Sequence, residues 1–305
     1  MSSYSGLEQH VINTFNDCEN LVWKGRSYNE VRAFKPTTSS GECRTDTYVS
    51  LMIAGVEVDA IKISIKKDDA EFMANKLTAQ DAESLLGSEW SPILRNSINL
   101  IRNELLNKEV FYPKPKSDPT DIYFTLGWKL EIANKPRTLS APLALSKKET
   151  ADKIFRGTGQ PDYRKHALIN GHTVLNSGIA DYLLEGNRDS FIDAQSIINS
   201  LQDLSNYIPS DIYLIFTANN YRIKANKADG PRTLAVCISW EVEANKIRPR
   251  IIFDQPLVYK GETHMMPILK HSLEAVNAPI NLPMNNSVDI KNMLEQIKPF
   301  VLNAR

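Results

Sequence analysis

Two periods of apolar residues run along this chain, and they separate its helices from its strands. Leu7, Val11, Ile12, Phe15, Cys18 and Val22 recur at helical spacing over residues 6–23, and Gly25 follows where a helix would stop. After the polar loop KPTTSSGEC (35–43), the segments TDTYVSLMIAG (45–55) and VDAIKISIKK (58–67) read as strands joined by a short connection. They are expected to pair as a hairpin. In the second strand Ile61, Ile63 and Ile65 fall on one face, and Lys62, Ser64 and Lys66 fall on the other. Two lysines so aligned either protect an edge strand from further pairing or supply positive charge at a fixed point of a site.

Helical spacing returns in DDAEFMANKLTAQDAESLLG (68–87), where Phe72, Met73, Leu77, Ala82, Leu85 and Leu86 share a face. Asp68 and Glu71 have the spacing of a capping box, and Gly87 stands where a C-cap belongs. A second helix opens at Ser91-Pro92 and runs through Ile93, Ile98, Ile101 and Leu105. The proline-rich connection YPKPKSDPTD (112–121) leads to a strand at DIYFTLG (121–127). Further on, a helix is expected in SFIDAQSIINSLQDL (190–204). Strands follow in DIYLIFTA (211–218), RTLAVCISWEV (232–242) and RPRIIFDQ (248–255), and a last helix in VDIKNMLEQIK (288–298). There is no internal repeat. The mixture predicts an α/β or α+β fold with a mixed central β-sheet flanked by helices.

Composition narrows the class. The chain has 305 residues, 42% apolar and 24% charged, which suits a globular protein with a full core. No run of eighteen apolar residues exists, so no membrane span is expected, and MSSYSGLEQH lacks the pattern of a secretory signal. Cys18, Cys43 and Cys237 are few, odd in number and far apart, which fits a reducing, cytoplasmic setting and no zinc spacing. The formal net charge is zero, which argues against a sequence-blind basic coat for nucleic acid but leaves room for a locally basic cleft. GTGQPD is not followed by Lys-Ser/Thr, and no G-x-S-x-G occurs, so nucleotide triphosphatase and acyl-hydrolase chemistry lack their motifs. His166 and His172 form the closest histidine pair and read as structural or surface residues.

The remaining candidate chemistry lies on the hairpin. Asp46 opens one strand and Lys66 sits near the end of the next, so an acid and a lysine can converge on one point. Such a pair suits metal-assisted phosphodiester cleavage: oxygen ligands hold a hard divalent ion, and an ammonium acts on water and on developing negative charge. In Thr45-Asp46 and Ser64-Ile65-Lys66 the chain resembles the PD-(D/E)xK nuclease superfamily, in a variant with Ser-x-Lys in the second half of the motif. The resemblance covers roughly residues 5–130. It implies a restriction-endonuclease-like core in residues 1–132, with residues 133–305 completing the same sheet and carrying DNA recognition.

The resemblance further implies Mg²⁺ held by Asp46 and the Ile65 carbonyl, with Lys66 acting on the water. Thr45 stands where the family usually has proline, and Ser64 where it has an acid. The missing ligand is therefore expected from Glu83 or Asp81 on the following helix, or from Glu42 before Asp46; Glu71 lies closer in sequence but is expected to cap that helix. A basic set supplies the candidate DNA contacts: Arg222, Lys224 and Lys227, then Arg232, then Lys246, Arg248 and Arg250. They form one ribbon if their strands pair. The expected function is a site-specific endonuclease of duplex DNA, dimeric to match a palindromic site. The alternative is a catalytically silent module of similar fold that binds nucleic acid or protein.

Overall fold

The computed structural model describes residues 3–67, 72–114, 118–244 and 246–276. Its contacts divide the chain into two units. One comprises Met1–Glu71, Glu83–Trp90 and Leu145–Ser210, and the other Phe72–Ala82, Ser91–Ala144 and Asp211–Arg305. The boundary expected between residues 132 and 133 therefore does not hold. It would cut the strand Asp118–Ala133 where Ile132 and Ala133 pair with Leu214 and Tyr213, inside an unbroken ladder of the second unit. Helices and mixed sheets together make an α+β fold. No described helix is long and apolar enough to cross a membrane.

The first unit is built on a five-stranded mixed sheet in the order Gln202–Asp203, Tyr182–Gly186, Val56–Lys67, Thr47–Ile53, Glu30–Phe34. The hairpin expected between the aspartate strand (Thr47–Ile53) and the lysine strand (Val56–Lys67) is present, with Thr47 opposite Ile63 and Val49 opposite Ile61. Tyr182–Gly186 pairs parallel to the other side of the lysine strand, so residues beyond 133 do complete this sheet. The lysine strand thus lies at the centre of the sheet order, paired with the aspartate strand over residues 56–63 and with Tyr182–Gly186 over residues 63–67, so that Lys66 has a strand neighbour on one flank only.

Alternation along that strand decides the packing. Ile61, Ile63 and Ile65 are buried with Val49 and Leu51 against Leu7, Val11, Ile12 and Phe15 of the N-terminal helix (Ser3–Asn16) and Ile197 of the helix Ala194–Ser200. The first helix is shorter than its apolar spacing predicts. Asn16 ends it by exchanging two side-chain hydrogen bonds with the main chain of Ala33 (2.7 and 3.2 Å). Leu21 and Trp23 then bury alternate residues of a small hairpin while Val22 points outward.

The helix expected over 68–87 also differs. Its Asp68 and Glu71 lie outside the described residues. Phe72–Ala74 is a strand on Asp118–Ala133, and the helix itself runs only Ala79–Leu86. Thr78 and Asp81 cap it reciprocally: the Asp81 carboxylate accepts from the Thr78 N–H at 2.9 Å, and the Thr78 hydroxyl accepts from the Asp81 N–H at 3.2 Å. Gly87, at φ +83°, ends it as expected.

The second unit is antiparallel throughout, in the order Lys227–Ala228, Tyr213–Arg222, Asp118–Ala133, Val236–Glu243, Lys246–Ile252, with three short strands beside that path. Its core is anchored by Trp240, which packs edge-on to Phe124 and donates its indole N–H to the Thr125 carbonyl at 3.0 Å. The helix expected over 190–204, in the first unit, is confined to Ala194–Ser200 by an Asp193/Ser196 capping box. The helix expected over 288–298 lies outside the described residues.

Candidate active site

The end of the hairpin ladder creates the site. The Ile63 carbonyl accepts the Asp46 N–H at 2.8 Å, whereas the Lys62 carbonyl accepts the Asp181 N–H on the opposite flank. Main-chain groups alternate along a strand, so Ile65, two residues on, presents its N–H and its carbonyl toward the aspartate side again. No strand partner remains there, because Arg44 and Thr45 turn away and donate their N–H groups to the Gly178 carbonyl (3.0 and 3.3 Å). The Ile65 N–H meets the Asp46 carboxylate instead, at 2.6 Å, and the Ser64 hydroxyl reaches the same oxygen at 3.3 Å. Asp46 is thereby fixed beside the Ser64-Ile65-Lys66 triplet, as its spacing in the chain suggested.

Charge on this face is concentrated and poorly solvated. Burial raises the Asp46 carboxyl to about 6, against the opposing pull of Lys66, the Ile65 N–H and Arg44. Burial also lowers the Lys66 ammonium, with Asp46 as the main charge that favours it and Arg44 working against it. Arg44 is lowered by burial as well, with Asp46 favouring its charge and Arg164 opposing it. Among the described residues, neither the Lys66 ammonium nor the Arg44 guanidinium has a hydrogen-bond or ion-pair partner.

Lys62 contrasts sharply with Lys66 although both face the same side. It is paired with Asp181 at 2.9 Å and donates to the Asn176 carbonyl at 3.2 Å. Arg156 then links Asp181 (3.6 Å) to Asp152 (3.1 Å). Lys62 is held as a strut, and Lys66 stands available.

The acids expected to replace the missing ligand fare unequally. Asp81 belongs to the second unit and uses its carboxylate as a cap. Glu83 is exposed on the short helix and is not among the charges acting most strongly on Asp46 or Lys66. Glu42, also exposed, does act on Lys66. An acid that motif reasoning missed is Glu8, on the N-terminal helix, which acts on both Asp46 and Lys66 and pairs with Lys35 at 2.5 Å. Its signal was position: Glu8 lies three and four residues before Val11 and Ile12, at the margin of the apolar stripe.

The basic set does not form one ribbon. Two strands, Asp118–Ala133 and Val236–Glu243, separate the strand ending at Arg222 from the strand carrying Lys246, Arg248 and Arg250. Arg222 is ion-paired with Asp229, Arg248 with Glu243 at 3.0 Å and Arg250 with Glu241 at 3.5 Å. Lys227 sits on the two-residue strand opposite Arg222, Lys224 in the turn before it, and Arg232 in an exposed segment.

The fit to a divalent cation rests on oxygen donors. Asp46 supplies a carboxylate and Ile65 a carbonyl on the same flank. No group of three His, Cys, Asp or Glu side chains able to hold a metal occurs among the described residues. That set suits Mg²⁺, which keeps several waters and needs one or two carboxylates plus substrate oxygens, better than a metal that demands a full protein cage. Comparison with known proteins yields no matching family model, no matching curated protein and no matching solved structure.

Proposed function

We propose that this chain is a Mg²⁺-dependent endonuclease that hydrolyses phosphodiester bonds of duplex DNA at the Asp46–Lys66 face. The observation that carries the proposal is the state of Lys66: an unpaired, half-buried ammonium where the aspartate-side ladder has ended, beside a carboxylate fixed by the Ile65 N–H. A cation guarding an edge or bracing the surface would be exposed or paired, as Lys62 is. The mixed sheet with the lysine strand at its centre, covered on its isoleucine face by helices, supports the same reading.

Asp46 and the Ile65 carbonyl would hold the ion, and Glu8 or Glu42 would add a carboxylate through water. When bound, Mg²⁺ supplies charge neutralisation at the phosphate and a more acidic water. The chain's own part follows from the geometry. Ser64 and Ile65 hold the Asp46 carboxylate in one orientation. The Lys66 ammonium, with no competing acceptor, orients the attacking water and faces the negative charge that grows on the phosphoryl oxygens. Burial lowers its proton affinity, and the Asp46 carboxylate opposes that shift. The products expected are a 5′-phosphate and a 3′-hydroxyl.

Recognition of a specific site would draw on Arg222, Lys224, Lys227, Arg232, Lys246, Arg248 and Arg250, and a two-fold dimer would match a palindromic sequence. A cytoplasmic setting accords with the three unpaired cysteines. A silent DNA- or protein-binding module is the second reading, and Ser64 in place of an acid favours it. Incubation with supercoiled plasmid separates the two. Linear or discretely cut DNA in Mg²⁺, abolished by EDTA, is the result expected of the nuclease. Unchanged plasmid at high protein concentration would leave the binding module.

A further inference from the structure

Of the charged side chains on this face, Arg44 is the one whose arrangement has no structural purpose. Four other arginines meet acids: Arg156 meets Asp152 and Asp181, Arg222 meets Asp229, Arg248 meets Glu243 and Arg250 meets Glu241, while Arg102 lies over the Phe253 ring. Arg44 meets none among the described residues, although it is half-buried and beside Asp46. Its five guanidinium N–H donors keep some access to solvent and have no protein acceptor among the described residues. The Asp46 carboxylate favours its charge without a hydrogen bond, Lys66 and Arg164 are cations, and Arg164 donates its own Nε–H to the Ser40 carbonyl at 3.0 Å.

The stem, in contrast, is firmly held. The Arg44 N–H donates to the Gly178 carbonyl at 3.0 Å. The side chain crosses Gly157, the left-handed residue (φ +80°) that closes the helical turn Ala151–Arg156. A Cβ at position 157 would lie 2.2 Å from Arg44 Cγ and 2.8 Å from Arg44 Cβ, so only glycine leaves room for this path. A fixed stem with an empty fork is the arrangement of a side chain prepared for an anionic ligand.

We propose that Arg44 is the phosphate clamp of the site, its planar fork donating to two non-bridging oxygens of the phosphodiester on which Asp46 and Lys66 act. Identifying the anion as a DNA phosphodiester rests on the nuclease reading; the clamp itself rests on the unpaired fork and its braced stem. A planar guanidinium matches two phosphoryl oxygens with parallel hydrogen bonds, which a lysine ammonium at the same place cannot do.

Two variants test this in the full chain. Arg44→Met keeps the stem over Gly157 and removes the charge, and Arg44→Lys keeps the charge and removes the fork. Binding of inorganic phosphate in EDTA is read by thermal shift at constant ionic strength, and plasmid cleavage in Mg²⁺ is read in parallel. Phosphate half-saturation is expected to weaken by about tenfold to a hundredfold in Arg44→Met, the span of one or two charge-assisted hydrogen bonds, and by less in Arg44→Lys. Phosphate binding equal to wild type in either variant overturns the clamp, so the Lys variant carries the test if the Met variant does not fold. Plasmid cut equally by wild type and Arg44→Met also overturns it while leaving the nuclease standing. Phosphate held through Arg44 by a wild type that never cuts DNA would instead remove the nuclease reading and keep the anion site.

Discussion

Replacing Asp46 by asparagine should stabilise the fold while destroying the activity. The carboxyl is held at about 6 instead of its ordinary 3.8, so its ionised form is disfavoured by the folded state. That difference corresponds to about 3 kcal/mol, and partial solvent access reduces it to on the order of 1–2 kcal/mol. The figure already contains the attraction of Lys66. Asparagine offers an oxygen to the Ile65 N–H and the Ser64 hydroxyl just as the carboxylate does, so the local hydrogen bonds survive.

The sign with pH follows from a raised carboxyl. Its contribution to stability is complete below about pH 4, is lost as pH rises through about 6, and stays lost above. The gain from Asp46→Asn should therefore be absent at pH 4, grow between pH 4 and 6, and level off by pH 7–8 as a rise of a few degrees in Tm. Thermal unfolding of both proteins across that range, in EDTA, is the assay. A variant less stable than wild type at pH 8 would refute the reasoning and make Asp46 a structural residue; a gain independent of pH would show that burial of its charge is not the cause.

Other expectations follow from the same contacts. Lys66→Ala should lower the single-turnover cleavage rate several hundredfold, about 3 kcal/mol or more, and Lys66→Arg should not restore it. Lys62→Ala should leave that rate within about tenfold but lower stability by roughly 1 kcal/mol as Asp181 keeps only Arg156 as a partner, measured by urea unfolding. Glu8→Gln and Glu42→Gln, assayed for Mg²⁺ half-saturation, should divide the missing-ligand role, with at least one raising the requirement tenfold; Glu83→Gln should be neutral. Asp81→Asn should cost about 1 kcal/mol through the Thr78 cap and spare activity, and a lost activity without lost stability would return it to the site.

The legible part of the sequence was the part ruled by short-range periodicity. Alternation in residues 60–67 correctly divided isoleucines from lysines, because a strand packed on one face must alternate. Gly87 marked a helix end because only a residue tolerant of positive φ closes it cheaply. Long-range pairing was less visible. Nothing local announces that Tyr182–Gly186 joins residues 63–67 of the lysine strand in parallel, which leaves only the aspartate flank open beside Lys66. Apolar spacing over 68–87 misled in its first half because Phe72–Ala74 pairs as a bulged strand with Asp118–Ala133, a tertiary pairing that overrides helical pattern. At the site, Asp46 and Lys66 carried a motif, while Glu8 and Arg44 did not. Their roles arise from where a helix flank and a loop meet the sheet.

The most direct test is digestion of a mixed DNA library in Mg²⁺ followed by sequencing of the new ends, with Lys66→Ala prepared identically. New 5′-phosphorylated ends clustered at one short sequence with wild type, and missing with the variant, are the predicted result. No new ends with wild type, or the same ends with Lys66→Ala, would mean that the Asp46–Lys66 face does not cut DNA.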